Sequence, residues 1–473
     1  VSLPLVVILA AVVLSALLGV LAGRRQPKNL EAWTVGGRRF GVVLIWLLMA
    51  GEVYTTFTFL GASGWAYSKG GPAFYILIYG TLAYTISFFL LPVIWRLGKA
   101  HGLHTQSDFF LHRYRSRALS VFVALVGVAA IIPYLQLQLK GLGLIVEAAS
   151  GHSVSSGAAI VVSFLLTSAF VYSSGIRGSA WVAVVKDVLM LVTVIVVGFG
   201  VPSAYFGGVG EMFRALHAAH PGHLTIPGTT GTMDVGWVMS TVLLTGAGFY
   251  MWPHLFASAF TARDAVTIKR NAVIMPLYQI PIVLVFFVGF TALLAIPGLR
   301  DGDLAFLEVV RATYPPWFMG LVGAAGAVTA MVPASILVLY ASTLVSKNVY
   351  VPVFDPGASD RKVMTLSRAM VLVITALGLL FAVLLPNALV DLLLIGYDGV
   401  SQLFPAVVLG LLWPRLGARA AGAGIVTGLA VVVTLVFGGH DPFLGMNAGF
   451  VALVANFAVT VAAGLATRRE VPT

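Results

Sequence analysis

Cysteine is absent from these 473 residues, and charge is scarce: Asp, Glu, Lys and Arg together make up 10% of the chain. The first absence removes disulfides and thiolate metal sites from consideration. The second removes a soluble fold, because soluble domains carry roughly 25% charged residues and cannot hide the apolar surface of a chain that is 59% hydrophobic. The ten-residue alternation of polar and apolar positions that builds a membrane β-barrel is also missing. There is no Walker motif, no paired metal-ligand histidine and no G-x-S-x-G elbow, so nothing suggests an enzyme, an ATP-driven pump or a cofactor.

What is present is a series of long apolar runs, with a mean hydropathy of +0.99. About 20 helical residues, at 1.5 Å each, cover the roughly 30 Å of a bilayer's hydrocarbon. Thirteen spans of that kind are expected: 3–23, 41–63, 72–98, 118–146, 154–174, 178–206, 236–258, 271–296, 316–346, 363–385, 389–413, 416–438 and 443–467. The first could pass for a signal peptide, but it lacks a basic leader and "GRRQPK" follows it, so a retained helix is expected. The longest stretch between spans, 207–235, leaves no room for a soluble domain. One transmembrane domain, 1–473, is expected: an extra helix and loop (1–35), a core (36–415) and two final helices with a tail (416–473).

The net charge of +11 invites a nucleic-acid reading, and its distribution answers it. On this span pattern 22 of the 28 Lys and Arg fall on one side, among them Arg24, Arg25, Lys28, Arg113, Lys269, Arg468 and Arg469. The positive-inside rule makes that side cytoplasmic. The N-terminus is then outside and the C-terminus inside, and the partner is a lipid bilayer rather than nucleic acid.

Two stretches break the helical pattern. "GEVYTTFTFLGASG" (51–64) sets Gly51 and Glu52 beside Tyr54, Thr55, Thr56 and Thr58 at membrane depth. A charged side chain there costs roughly 2.5–3.5 kcal/mol on insertion scales. "TGAGFYMWPHLF" (245–256) holds Tyr250, Trp252, Pro253 and His254. Pro253 removes a backbone donor and disfavours helix at Trp252. The two lie five spans apart, and paired interruptions of this kind mark the midplane site of a transporter. Simple Gly and Pro kinks at packing contacts are the bland alternative.

At these residues the chain resembles the sodium/solute symporter family, through "FLGASGWAYSKG" (59–70), "HTQSDFFLHRY" (104–114), "PYLQLQLKGLG" (133–143), "KDVLMLVTV" (186–194), "MWPHLFASAFTARDAVTIKRNA" (251–272) and "FPAVVLGLLWPR" (404–415). "GEVYTTFTF", "VVKDVLM" and "MVPASI" are most similar to its bacterial monocarboxylate permease branch, whose members carry lactate, pyruvate, acetate and related acids. The resemblance implies an all-α polytopic fold, a LeuT-type 5+5 inverted repeat with one extra N-terminal and two extra C-terminal helices. It also implies a multi-pass protein of the bacterial inner membrane.

In sodium-dependent members of that family two hydroxyls on the eighth core helix help hold Na⁺. Alignment on "ASTLVSKNVY" places those positions at Val332 and Pro333, which have no side-chain oxygen. The coupling ion is therefore H⁺ or Na⁺, with H⁺ favoured. Asp187 and Ser335 match family ion-site positions. Low dielectric favours the neutral form of a carboxyl, so Glu52 is expected to carry a proton, or else to sit in a structural ion pair. Lys186 is expected to supply the counter-charge of a carboxylate, to fill the vacant sodium site, or to snorkel. Lys186 and Asp187 could partly neutralise each other's environment, although as neighbours on a helix they should not face each other. His254 can titrate near neutral pH or serve as a structural donor. Gly51, Glu52, Lys186, Asp187, Ser335 and His254 are the expected ion-coupling set.

Substrate contacts are expected at Tyr54, Thr55, Thr56, Thr58, Gln136, Lys140, Tyr250, Trp252, Asp398 and Gln402. Thr55, Thr56 and Thr58 could instead bond the preceding carbonyls. Gln136 and Lys140 share a helix face that excludes Gln138. The function expected is symport of a small monocarboxylate. The alternative is sodium-coupled symport of an amino acid or another small polar solute; a sensor module and a channel are weaker rivals. Oligomeric state stays open, a monomer being compatible with the sequence.

Overall fold

The computed structural model describes residues 2–23, 30–229, 231–384 and 388–466. Arg24, Arg25, Lys28, Arg468 and Arg469 lie outside the described residues. Among those described, every regular element is a helix or a helical turn, and pairing of extended segments is limited to two isolated bridges. The apolar runs account for this: inside a bilayer a helix satisfies its own backbone polar groups.

Among the described residues nine helices are long and apolar enough to cross a membrane: Gly71–Ala100, Arg117–Ala149, Gly178–Phe206, Ala265–Ala295, Pro316–Phe354, Asp360–Leu384, Leu389–Leu412, Ala418–Leu435 and Ala448–Ala466. A tenth span is the bent pair Val235–Met251 and Pro253–Thr261, broken by 51°. Leu3–Gly19 and Val42–Gly51 are shorter apolar helices. Against the thirteen spans expected, nine or ten are found among the described residues. Helical backbone runs unbroken through the fifth and sixth, within Ser156–Phe206, and Gly178–Phe206 is by itself long and apolar enough to cross. The sequence between them, "SSGIRG", has no proline to remove a hydrogen bond, and its two glycines tolerate helical geometry at modest cost.

Pro316–Thr343 lies at the centre. Its 18-residue apolar window is 94% buried, and it packs against the first helix, Arg117–Ala149 and Ser156–Phe206. Small residues permit these close approaches. A Cβ added at Gly320 would lie 2.9 Å from Val7, and one at Gly323 would lie 2.4 Å from Ile8. The segment 297–315, containing the short helix Ala305–Thr313, folds back over the bundle. Phe306 packs on Phe59 in a tilted pair with ring centroids 4.5 Å apart. Gly64 meets this segment so closely that a Cβ there would sit 2.8 Å from an Asp303 carboxylate oxygen.

Candidate functional site

The first interruption begins where Val42–Gly51 ends. Glu52 and Val53 close tight turns onto Met49 O and Ala50 O, at 3.2 and 2.9 Å. Helix resumes as a wide turn over Phe57–Gly61 and a regular one over Ala62–Ser68. Threonines stitch the unwound segment together. Thr55 N donates to Thr58 Oγ1 (2.9 Å), Thr58 Oγ1 donates to Val53 O (2.8 Å), and Phe57 N donates to Thr55 Oγ1 (3.1 Å). Thr55 and Thr58 thus bond the local backbone, the competition with helix expected of threonine. Thr56 turns outward: its hydroxyl donates to Gln138 Oε1 at 2.8 Å. Gly141 allows that approach, since a Cβ there would lie 2.5 Å from Thr56.

Unwinding frees carbonyls, and Lys186 takes them. Its fully buried ammonium donates to Gly51 O at 2.7 Å and Tyr54 O at 2.9 Å, and lies 3.1 Å from Asp187 Oδ1. The expectation that neighbouring Lys186 and Asp187 do not face each other is corrected here, because the four-carbon lysine stem reaches back across the helix surface. Asp187, buried, also lies against Tyr278. Ser335 is elsewhere: it donates to Val332 O and pairs with Ser179, more than two turns before Asp187. Val332 and Pro333 are fully buried and bring only apolar side chains.

The second interruption faces the first. Val235–Gly248 gives way to a tight turn at Phe249–Met251; Trp252 is extended (φ −57°, ψ 129°), and helix restarts at Pro253. His254 Nε2 lies 3.2 Å from Glu52 Oε2, both side chains having no exposed surface. The contact lacks hydrogen-bond geometry, and both Glu52 carboxylate oxygens, both imidazole nitrogens and Trp252 Nε1 are buried without a hydrogen-bond partner. Groups in that state are expensive unless a further polar group completes them. Tyr134 closes the site. Its hydroxyl donates to Glu52 O at 3.4 Å, and its ring lies 5.0 Å from Trp252 and 5.8 Å from His254. Tyr397 packs on Trp252 at 5.4 Å.

The structure therefore gathers Gly51, Glu52, Tyr54, Thr56, Lys186, Asp187, Trp252 and His254 around the two breaks. Gln136 is buried nearby on Arg117–Ala149. Tyr250 packs on Phe249, 4.9 Å away. Lys140 reaches the segment 297–315, pairing with Asp303 (3.2 Å) and Asp301 (3.4 Å). Asp398 and Gln402 face the last helix: Gln402 Nε2 donates to Gly449 O at 3.2 Å and Asn456 Nδ2 donates to Gln402 O at 2.7 Å. Sequence reasoning missed Gln138, Tyr134 and Tyr397. The proline preceding Tyr134 and the glycine preceding Tyr397 were the available signals.

Outside the spans, ionic contacts close both ends of the bundle. Burial pushes the Asp303 carboxyl up to about 6, against the pull of Lys140, and Asp301 adds to the rise. At the opposite end burial would raise Asp108 too, but Lys347, the His104 amide and Asn348 outweigh it and hold the carboxyl at about 2. Asp108, Arg117, Lys347 and Asn348 line a cavity of about 350 Å³ there, remote from the two breaks.

Comparison with known proteins agrees with this architecture. The Sodium:solute symporter family profile matches residues 33–428. The chain is 46% identical to a symporter of Bacillus subtilis, YhjB, covering 98% of this chain and 97% of the relative. It is 30% identical to the monocarboxylate transport permease protein of Rhizobium johnstonii, covering 95% and 94%. Among solved structures, a Na⁺-coupled sialic acid symporter superposes with a TM-score of 0.82 at 19% identity, covering 98% of this chain and 97% of that one. Mhp1, a nucleobase-cation-symport transporter, does so at 0.60 and 13%, covering 94% and 97%. These likenesses give the fold as the LeuT type, and the family and fold neighbours are symporters rather than enzymes. With its profile matched across most of the sequence, the chain belongs to the sodium:solute symporter family.

Proposed function

We propose that this chain is a secondary active symporter that imports a small monocarboxylate of the lactate, pyruvate and acetate class, driven by H⁺ rather than Na⁺. One observation carries the choice of ion: the Lys186 ammonium already occupies Gly51 O and Tyr54 O, the carbonyls that the unwound helix offers a cation. A sodium ion at this place must replace its hydration shell with protein oxygens. Val332 and Pro333 supply none from their side chains, and Asp187 is paired with Lys186. The proton is assigned to Glu52 and His254, whose contact joins the two broken helices. A carboxylate substrate matches the buried donors His254 and Trp252 Nε1, and the Rhizobium johnstonii relative is a monocarboxylate permease by name.

Alternating access then consists of the two broken helices moving against the rest of the bundle. The basic face is assigned to the cytoplasm by charge, the membrane is the bacterial plasma membrane, and a monomer suffices. Carboxylate and H⁺ together move no net charge, so uptake should follow ΔpH and ignore membrane voltage. The test is uptake of labelled lactate, pyruvate and acetate into proteoliposomes under an imposed pH or sodium gradient. Accumulation driven by sodium at zero ΔpH would replace this reading with sodium-coupled transport of an amino acid or other polar solute.

A further inference from the structure

The segment 297–315, which lies on the outer half of the first broken helix, is tied to Arg117–Ala149 at a second place. His152 follows the end of that helix and holds a left-handed backbone (φ 63°), unusual for a residue with a side chain. The turn aims the imidazole between two carboxylates on different elements. Nδ1 lies 3.2 Å from Glu147 Oε1, in the last turn of Arg117–Ala149, and Nε2 lies 3.0 Å from Glu308 Oε1, on Ala305–Thr313.

A carboxylate oxygen only accepts, and a neutral imidazole carries one N–H. Only the doubly protonated ring can therefore donate to both partners. Glu308 has a second cationic neighbour, since Arg311 Nε donates to Glu308 Oε2 at 3.0 Å. Its side chain is only 7% exposed, which limits screening of the contact by solvent. The carbonyl end of Arg117–Ala149 also favours a cation at this position.

We propose that His152 is an acid-set clasp: protonated, it fastens segment 297–315 to Arg117–Ala149 and holds the segment down over the broken helix; neutral, it releases one of the two carboxylates. The groups facing it are Glu147 from its own helix end and Glu308 with Arg311 from the segment. Further along, Lys140 meets Asp301 and Asp303. The first helix brings only Ser2, whose hydroxyl donates to Ala149 O. Asp303, raised to about 6, also changes charge in the range where histidine does, but it is present in both wild type and H152Q and so drops out of their ratio. The clasp does not depend on the substrate or coupling ion proposed above.

Amide hydrogen exchange of the full-length protein in detergent, followed in peptides spanning 301–313, tests it without any transport readout. Taking wild type relative to H152Q at the same pH cancels the intrinsic pH dependence of exchange. The expected result is about three- to tenfold slower exchange in wild type near pH 5.5, the range for a partly screened charge-assisted contact. The difference should disappear near pH 8.5. A ratio that is equal at both pH values overturns the proposal. Should H152Q also loosen residues 316–343, E147Q, which keeps the Glu308–Arg311 pair, is judged by the same ratio and the same two outcomes.

Discussion

Replacing Lys186 with methionine keeps the length and apolar stem of the side chain and removes the charge. Three groups then lose their partner at the middle of the bundle: Gly51 O, Tyr54 O and the Asp187 carboxylate. An orphaned buried carbonyl costs roughly 1–3 kcal/mol, and breaking a buried ion pair by removing one member costs about 3–5 kcal/mol. The three are neighbours and their terms are not additive, so a loss of roughly 4–6 kcal/mol is the working figure. The assays are thermal unfolding in detergent and ΔpH-driven uptake into proteoliposomes. K186M should melt markedly lower than wild type and lose accumulation. K186R, which keeps the charge, should recover part of the stability. The double variant K186M/D187N removes the stranded carboxylate along with the lysine, and should regain much of the stability lost by K186M but none of the accumulation. Wild-type melting and accumulation in K186M would refute the assignment of Lys186 as the resident cation of the unwound helix.

Glu52→Gln retains shape but not titration, and should abolish gradient-driven accumulation while leaving substrate exchange intact; accumulation at the wild-type level would remove Glu52 from the proton path. Thr58→Val deletes a hydroxyl that both accepts from Thr55 N and donates to Val53 O, so roughly 2–4 kcal/mol of stability should go, with the apparent substrate affinity of the folded fraction nearly unchanged. A large change in affinity with stability intact would make Thr58 a substrate contact instead. Asp303 gives a pH prediction. Its carboxyl is raised in the folded protein to about 6 from an ordinary 3.8, so between those values the folded state binds more protons and stability must fall as pH rises. Wild type should therefore gain up to about 3 kcal/mol relative to D303N on going from pH 7 to pH 4, read by chemical or thermal unfolding; parallel curves for the two proteins would contradict it. Exchanging sodium for choline at constant ΔpH should leave uptake unchanged, and its loss would point to sodium coupling.

The membrane class and the positions of both helix breaks were legible in the sequence because their causes are local. Apolar run length is a property of about 20 consecutive residues. The break at Trp252 comes from the proline that follows it, and the one at 52–56 from glycine and threonine competing with the helix for hydrogen bonds. That Val332 and Pro333 bring no side-chain oxygen could be read from the sequence, since an absent oxygen needs no coordinates.

Contacts between distant residues were a different matter. Helical spacing related Gln136 to Lys140, yet Gln138 is the residue that meets Thr56, 82 positions earlier, because the neighbouring helix sets which face is used. Lys186 and Asp187 were placed apart by the same spacing and brought together by carbonyls 132 and 135 residues away. The helical backbone that continues through 175–177, within Ser156–Phe206, reflects cooperative helix propagation across a segment with no strong breaker. What the sequence by itself determined was a bundle of membrane helices, two of them interrupted, with acid, base and hydroxyl groups at the breaks. Tertiary structure alone decided that the lysine occupies the unwound carbonyls, that Glu52 meets His254, and that His152 joins two glutamates. Local backbone preference extends over about one turn, and the partners that satisfy a buried charge come from wherever packing brings the chain back.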